Sequence, residues 1–331
     1  MIVQHFTNFW WIGGVEHYLM ALAEATPDCE HRIHSQYSTH PEAIEMAKAR
    51  GLSVTCKKGQ FPFDANVDLI VNHSQGMFAP SMPTAGRPVL HILHGWPTTH
   101  RCVRRGMLNA SVNQDGANFF NLEQSSRLPA LGPSIATPTQ RKTAWAASGA
   151  LRIGTIVSPR AEKLSAQVVP ALNILHEAGI DFTYYAVGLQ KIGEERFRKA
   201  KFRFELLPCI TSVEEKYKYL CSLDVGYYSV SCVEGFGIAV QEMLAVGLPV
   251  VADNRGGICD QIQHRLNGVL TTHPHDAAMY LCMFAGSEKL RGRFGRKAME
   301  VIDTAWTYHA FAQKFYAARE EAAAYYKRVT S

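Results

Sequence analysis

Residues 231–268 read SCVEGFGIAVQEMLAVGLPVVADNRGGICDQIQHRLNG, and few architectures can accommodate such a run. Just before it, residues 223–230 (LDVGYYSV) mix β-branched and aromatic positions and end in small polar ones, the pattern of a buried strand feeding a loop. Glu234-Gly-Phe-Gly237 makes the loop, and residues 238–246 continue without a breaker as a short helix. Gly247 stands where a left-handed C-cap is wanted, and Pro249 cannot prolong the helix. Residues 249–252 then form a second buried strand, followed by Asp253-Asn-Arg-Gly256-Gly257 and another helix start. Strand, glycine loop and helix, twice over, is the order of a parallel α/β sheet.

Loops that leave strand C-termini and open helices aim backbone N–H groups at one region, which suits an anion such as a pyrophosphate. Gly235, Gly237, Gly256 and Gly257 are expected to let a ligand approach the backbone closely. The helix after the first loop is apolar nearly all round yet carries Glu242. A buried carboxylate needs donors. Two sets are open: sugar hydroxyls, with Glu242 on a ribose and Glu234 on a second polyol, or a Lys or Arg in an ordinary ion pair.

Glu234-Gly-Phe-Gly-x4-Glu242, Gly247-x-Pro249-Val-Val and Gly256-Gly257-x2-Asp260-x-Ile262-x5-Gly268 resemble the donor-site signature of the retaining nucleotide-sugar glycosyltransferases of the GT-B fold, family 4 in particular (glycosyl transferases group 1). Asp260 departs from the Glu usual there. The resemblance implies two Rossmann-like domains with parallel sheets facing across a cleft. It puts Glu234 near the transferred sugar, the amides of Phe236 and Gly237 near the diphosphate, and Glu242 on the ribose.

The 331 residues suffice for two domains, and no apolar run reaches the length of about 18 residues that a membrane span needs. The N-terminus lacks the basic region of a signal peptide, and eight cysteines lie scattered without a C-x-x-C pair. The expected setting is therefore cytoplasmic, with reduced thiols, and optionally peripheral at the inner membrane face. The formal net charge of +5 fits a nucleotide, an anionic acceptor or a membrane surface without choosing among them.

The N-terminal half repeats the theme. Residues 2–6 read as a strand, and Gly13-Gly14 precede a helix over 15–23. Alone, the two glycines are equally a tight turn; the family's Gly-Gly-x-Glu loop assigns Gly13 and Gly14 to the donor rim. Further strands are expected at 32–36, 52–57, 67–72, 89–93 and 118–124, with a helix over 40–50. The strand at 89–93 ends in His94-Gly-Trp-Pro97, where open sheets place ligands, so His94 is the candidate to touch the donor sugar, with a strand-capping role as the alternative and His73 as second choice. Arg101, Arg104 and Arg105 form either a solvated face or a receiver for a phosphate-bearing acceptor. The segment 129–148, rich in Pro, Ser, Thr, Gly and Ala, reads as the linker between domains 1–148 and 149–307, with a helix at 308–331 returning to the first domain as in the family.

Residues 151–158 open the second domain as a strand, with Pro159-Arg160-Ala-Glu-Lys163 after it. The family commonly has Gly-Arg and then Lys here, both on the donor diphosphate. Thr155 occupies the expected Arg position, Lys163 fits the Lys, and Arg160 is the substitute for the missing guanidinium. His273-Pro-His275-Asp276 precedes a helix, and no metal is assigned to it. Arg291, Arg293, Arg296 and Lys297 form a basic helix face, solvated or lipid-facing.

The implied activity is hexosyl transfer with retention from a nucleoside-diphosphate sugar to an unidentified glycan, lipid-linked or small-molecule acceptor. Glu234, His94 and Lys163 would be the catalytic residues, with no cofactor and no metal. The remaining readings are a non-catalytic nucleotide-sugar binder or partner subunit, a nucleotide-sugar hydrolase or epimerase, and a DNA-directed glycosyltransferase.

Overall fold

A computed structural model describes residues 1–10, 13–58, 62–64, 66–73, 86–94, 107–124, 128–147, 149–190 and 194–331. The expected residues Arg101, Arg104 and Arg105 lie outside these. The chain forms two compact units, Met1–Ala136 together with Trp306–Ser331, and Thr137–Ala305.

The first unit is built on strands β1 (Ile2–Trp10), β2 (Glu30–Thr39), β3 (Ser53–Cys56), β4 (Leu69–Asn72), β5 (Val89–Leu93) and β6 (Leu108–Ser111). They are all parallel, in the order β3-β2-β1-β4-β5-β6. β4, β5 and β6 are buried at every position, as strands covered on both faces must be. Helices α1 (Gly14–Ala25), α2 (Pro41–Lys48) and α3 (Gln114–Gln124) complete its N-terminal part. The expected strand at 118–124 is therefore wrong. Asn113 Oδ1 accepts the Gly116 amide at 2.8 Å, a helix N-cap, and Phe120 is buried while Leu122 is exposed, which is helical spacing.

The second unit carries β7 (Leu151–Ile156), α4 (Val168–Glu177), β8 (Phe182–Val187), α5 (Glu194–Phe197), β9 (Arg203–Leu207), α6 (Val213–Ser222), β10 (Val225–Tyr228), α7 (Ile238–Ala245), β11 (Val250–Asp253), α8 (Ile258–Gln261), β12 (Val269–Thr271), α9 (Pro274–Ala285) and α10 (Glu288–Ala305). The sheet order is β12-β11-β10-β7-β8-β9, again parallel throughout. Numbered within its own unit, each sheet runs 3-2-1-4-5-6. The chain changes direction of winding between β1 and β4 in one unit and between β7 and β10 in the other, and ligands bind outside the strand C-termini at such switch points.

The boundary falls before Thr137, not at 148, because the small polar stretch read as a linker is fastened to the second unit. Lys142 Nζ donates to the carbonyls of Cys221 and Leu223 at 3.0 and 2.6 Å, Trp145 Nε1 to that of Gly247 at 2.8 Å, and Arg141 pairs with Asp303 at 2.6 Å. The last helix, α11 (Tyr308–Thr330), packs on α1 and β5 of the first unit, with Phe311 edge-on to Tyr18 at 5.2 Å.

One supposed surface charge is internal. Arg291 is buried in α10, its guanidinium donating to the carbonyls of Trp145, Phe284 and Ala285, so it leaves the basic face expected to meet solvent or lipid. Among the described residues no helix is long and apolar enough to cross a membrane.

Candidate functional site

The two loops that flank the switch point of the second unit bring Lys163 and Glu234 together. After β7 the chain makes a 3-10 turn, Ala161–Lys163, whose last residue turns its side chain inward. After β10 the glycine loop carries Glu234, whose Oε1 accepts from Lys163 Nζ and from the Tyr228 hydroxyl at 2.7 Å. All three side chains are buried. Burial and the Glu234 carboxylate push the Tyr228 phenol well above its ordinary range, so it is a fixed hydrogen-bond donor. Backbone bonds tie the turn to the loop: Ser231 N–H donates to Glu162 O at 2.9 Å and Ser165 N–H to Ser229 O at 3.0 Å.

Glycine serves the loops differently from the expectation. Gly237 caps α7 at φ 88°, a left-handed conformation that favours glycine, and so aims the N-terminus of α7 beside Glu234. At Gly256 and Gly257 the close approach is by protein. A Cβ would lie 2.2 Å from Glu234 O at Gly256 and 2.3 Å from Gly235 O at Gly257, and the Gly257 amide donates to Glu234 O at 3.0 Å. The second loop therefore buttresses the first, and ligand approach is not what requires these two glycines. Gln261 adds a donor, its Nε2 to Phe236 O at 2.6 Å.

Glu242 is buried on α7 and pairs with Lys216 of α6, the ion-pair alternative that the sequence left open. Arg160 does not join Lys163; it is exposed, 3.4 Å from Glu162 and 3.3 Å from Ser158 Oγ. Thr155 is a buried position inside β7 whose carbonyl accepts the Tyr219 hydroxyl at 3.0 Å. His273 caps α9, its Nδ1 accepting the His275 amide at 3.3 Å. Among the described residues no group of His, Cys, Asp or Glu is placed to hold a metal.

In the first unit Gly14 opens α1 and Gly13 precedes it at φ −158°, extended backbone open to any residue, with His17 Nδ1 and N–H both directed at Gly13 O. His94, just past β5, bonds His73 across 2.8 Å and lies edge-on to Tyr18 at 4.8 Å. Burial and the nearby His91 lower its pKa to about 3, so it is neutral near pH 7.

Tyr228, Lys216 and Gln261 were not singled out from sequence. Tyr228 closes a strand beside the loop, where its hydroxyl could have been suspected; nothing in the spacing joins Lys216 to Glu242.

Residues 210–301 match the family model for Glycosyl transferases group 1. The amylovoran biosynthesis glycosyltransferase AmsK of Erwinia amylovora is 30% identical over 130 residues, which cover 36% of this chain and 32% of that protein. The match thus spans about a third of the length of that curated relative. Among solved structures, Anabaena Alr3699/HepE in complex with UDP superposes with a TM-score of 0.71 at 14% identity, covering 97% of this chain and 100% of that one. The same protein was also solved with UDP-glucose. WaaG, a glycosyltransferase involved in lipopolysaccharide biosynthesis, superposes at 0.64 and 14% identity, over 96% and 98%. Residues 210–301 are accordingly a Glycosyl transferases group 1 domain, set within a chain that has the GT-B fold.

Proposed function

We propose that the protein is a retaining glycosyltransferase of the family 4 type, taking its sugar from a nucleoside diphosphate, with UDP the first nucleotide to try because Alr3699/HepE was solved with UDP and UDP-glucose. The observation that carries this reading is the buried Lys163–Glu234–Tyr228 group at the switch point beside the N-terminus of α7. In this reading the Lys163 ammonium and the α7 amides meet the diphosphate as charge develops on the leaving group. Glu234, oriented by Tyr228, accepts from hydroxyls of the sugar, and Glu242 receives the ribose hydroxyls beside Lys216. A departing phosphate oxygen takes the acceptor's proton on the same face, while the chain positions the reactants. The acceptor is a sugar, lipid-linked sugar or small-molecule hydroxyl.

A thermal-shift panel of UDP, GDP, ADP and TDP, followed by mass spectrometry of products with acceptor mixtures, tests the activity. Stabilisation by one nucleotide and an acceptor mass increased by one hexosyl residue are expected. Binding without turnover would make the chain a nucleotide-sugar binder, and release of free sugar a hydrolase. Proton NMR of the product tests retention: a β-linkage from an α-linked donor would overturn it.

A further inference from the structure

The first unit contains a row of four hydrogen-bonded imidazoles that the proposed chemistry does not use. His31 near the start of β2, His5 in β1, His73 past β4 and His94 past β5 occupy strands adjacent in the sheet order. The row therefore crosses four neighbouring strands diagonally and ends at their carboxyl side. His31 Nδ1 is 2.8 Å from His5 Nε2, His5 Nδ1 is 3.0 Å from His73 Nε2, and His73 Nδ1 is 2.8 Å from His94 Nε2. The far end is tied to Thr26, whose Oγ1 lies 2.8 Å from His31 Nε2 and donates to Leu22 O at 2.6 Å.

That tie sets a direction. The single hydroxyl proton of Thr26 is spent on Leu22 O, so Oγ1 must accept from His31 Nε2–H. A neutral imidazole has one N–H, so His31 Nδ1 is bare and accepts from His5 Nε2–H, and the same logic passes to His73 and then His94. Burial keeps the rings neutral, lowering His31 to about 4, and burial with repulsion from neighbouring imidazoles takes His5 and His73 well below the ordinary value. A hydrogen bond to the Thr26 backbone and the charge of Asp28 oppose the shift at His31, the N-terminal amine assists it, and His91 bears on His73 and His94. His91 itself stands outside the row, its Nδ1–H donating to Asn72 O at 3.1 Å. Tyr18 packs edge-on against His73 and His94.

We propose that Thr26, His31, His5 and His73 form an anchored relay of hydrogen-bond polarity that holds His94 as its Nε2–H tautomer, so that its Nδ1 is an acceptor at the carboxyl end of the first sheet. The four are positioning residues acting through His94.

Long-range proton–nitrogen correlation spectra of the full chain carrying 15N-histidine, at pH 7.5, decide the polarity. Protonated Nε2 and bare Nδ1 are expected at His31, His5, His73 and His94; a protonated Nδ1 at any of them overturns the relay. Thr26→Val removes the hydroxyl acceptor and leaves only the backbone hydrogen bond of residue 26 to His31, so it should shift part of His94 towards the Nδ1–H form, and Thr26→Ser should retain the wild-type pattern. A Thr26→Val protein with wild-type tautomers overturns the hydroxyl as the anchor, and the wild-type spectrum decides the relay whether or not that variant folds. Absence of turnover in the nucleotide panel would remove the transferase reading and leave the tautomer result standing.

Discussion

The two sheets share one strand order, yet they bury their polar groups in opposite ways. The first unit threads a neutral histidine row across its strands. Its counterpart places ion pairs, Lys163 with Glu234 and Lys216 with Glu242, beside the loops and helices that follow its strands, and its four histidines, His176, His264, His273 and His275, are all exposed. Uncharged imidazoles can be buried in sequence because each donates to the next and accepts from the last. Buried charges must be matched one to one and are costly to separate. The same scaffold thus holds one unit sensitive to protons and another sensitive to loss of a partner.

Acid should expose the difference most strongly. His31 and His94 have folded pKa values of about 4 and 3, below their unfolded value, so their contribution is complete above about 6.5 and is lost as pH falls below it. At pH 5 each should cost the first unit roughly 2 kcal/mol, with His5 and His73 adding to this. Hydrogen exchange read by mass spectrometry should show β1, β4 and β5 opening between pH 7 and pH 5 while β7, β8 and β10 stay protected. Equal opening of both sheets would erase the contrast.

Breaking an ion pair should reverse the order of loss. Lys163→Met strands the Glu234 carboxylate and should destabilise the second unit by about 3–5 kcal/mol, with Lys163→Met/Glu234→Leu recovering much of it. Urea unfolding of the two variants measures this, and a single variant as stable as wild type would mean that the pair is solvated. Glu242→Gln tests a smaller effect: if the ribose bonds the carboxylate, UDP affinity by calorimetry should fall by about 1.5–3 kcal/mol, and an unchanged Kd would leave Glu242 to Lys216 alone. Least affected should be Arg160→Ala, whose exposed side chain predicts a stability change within about 0.5 kcal/mol. A clear loss of UDP affinity in that variant would show that Arg160 turns from Glu162 to the diphosphate.

What could be read in advance follows the range of the interactions. Buried runs such as LIVN and VVAD show parallel strands because burial on both faces leaves a local record. The loop Glu234–Gly237 is legible for the same reason, being continuous in sequence. Residues 118–124 misled because an Asn-rich segment with two Phe has no clean period, and the deciding cap came from Asn113, upstream of the segment. Lys216 with Glu242, Arg291 with the Trp145 carbonyl and the histidine row are long-range pairings, and no spacing rule connects their members.

The closing helix has a consequence for how the chain comes to exist at all. Because α11 belongs with the first unit, the residues that finish that unit are synthesised only after all of Thr137–Ala305. The second unit is contiguous and can fold on the ribosome as it emerges, whereas the first must wait with the α1 surface that receives Phe311 still uncovered. The order of birth is thereby opposite to the order in the gene, and a ribosome stalled before Trp306 would carry a finished second unit behind an unfinished first.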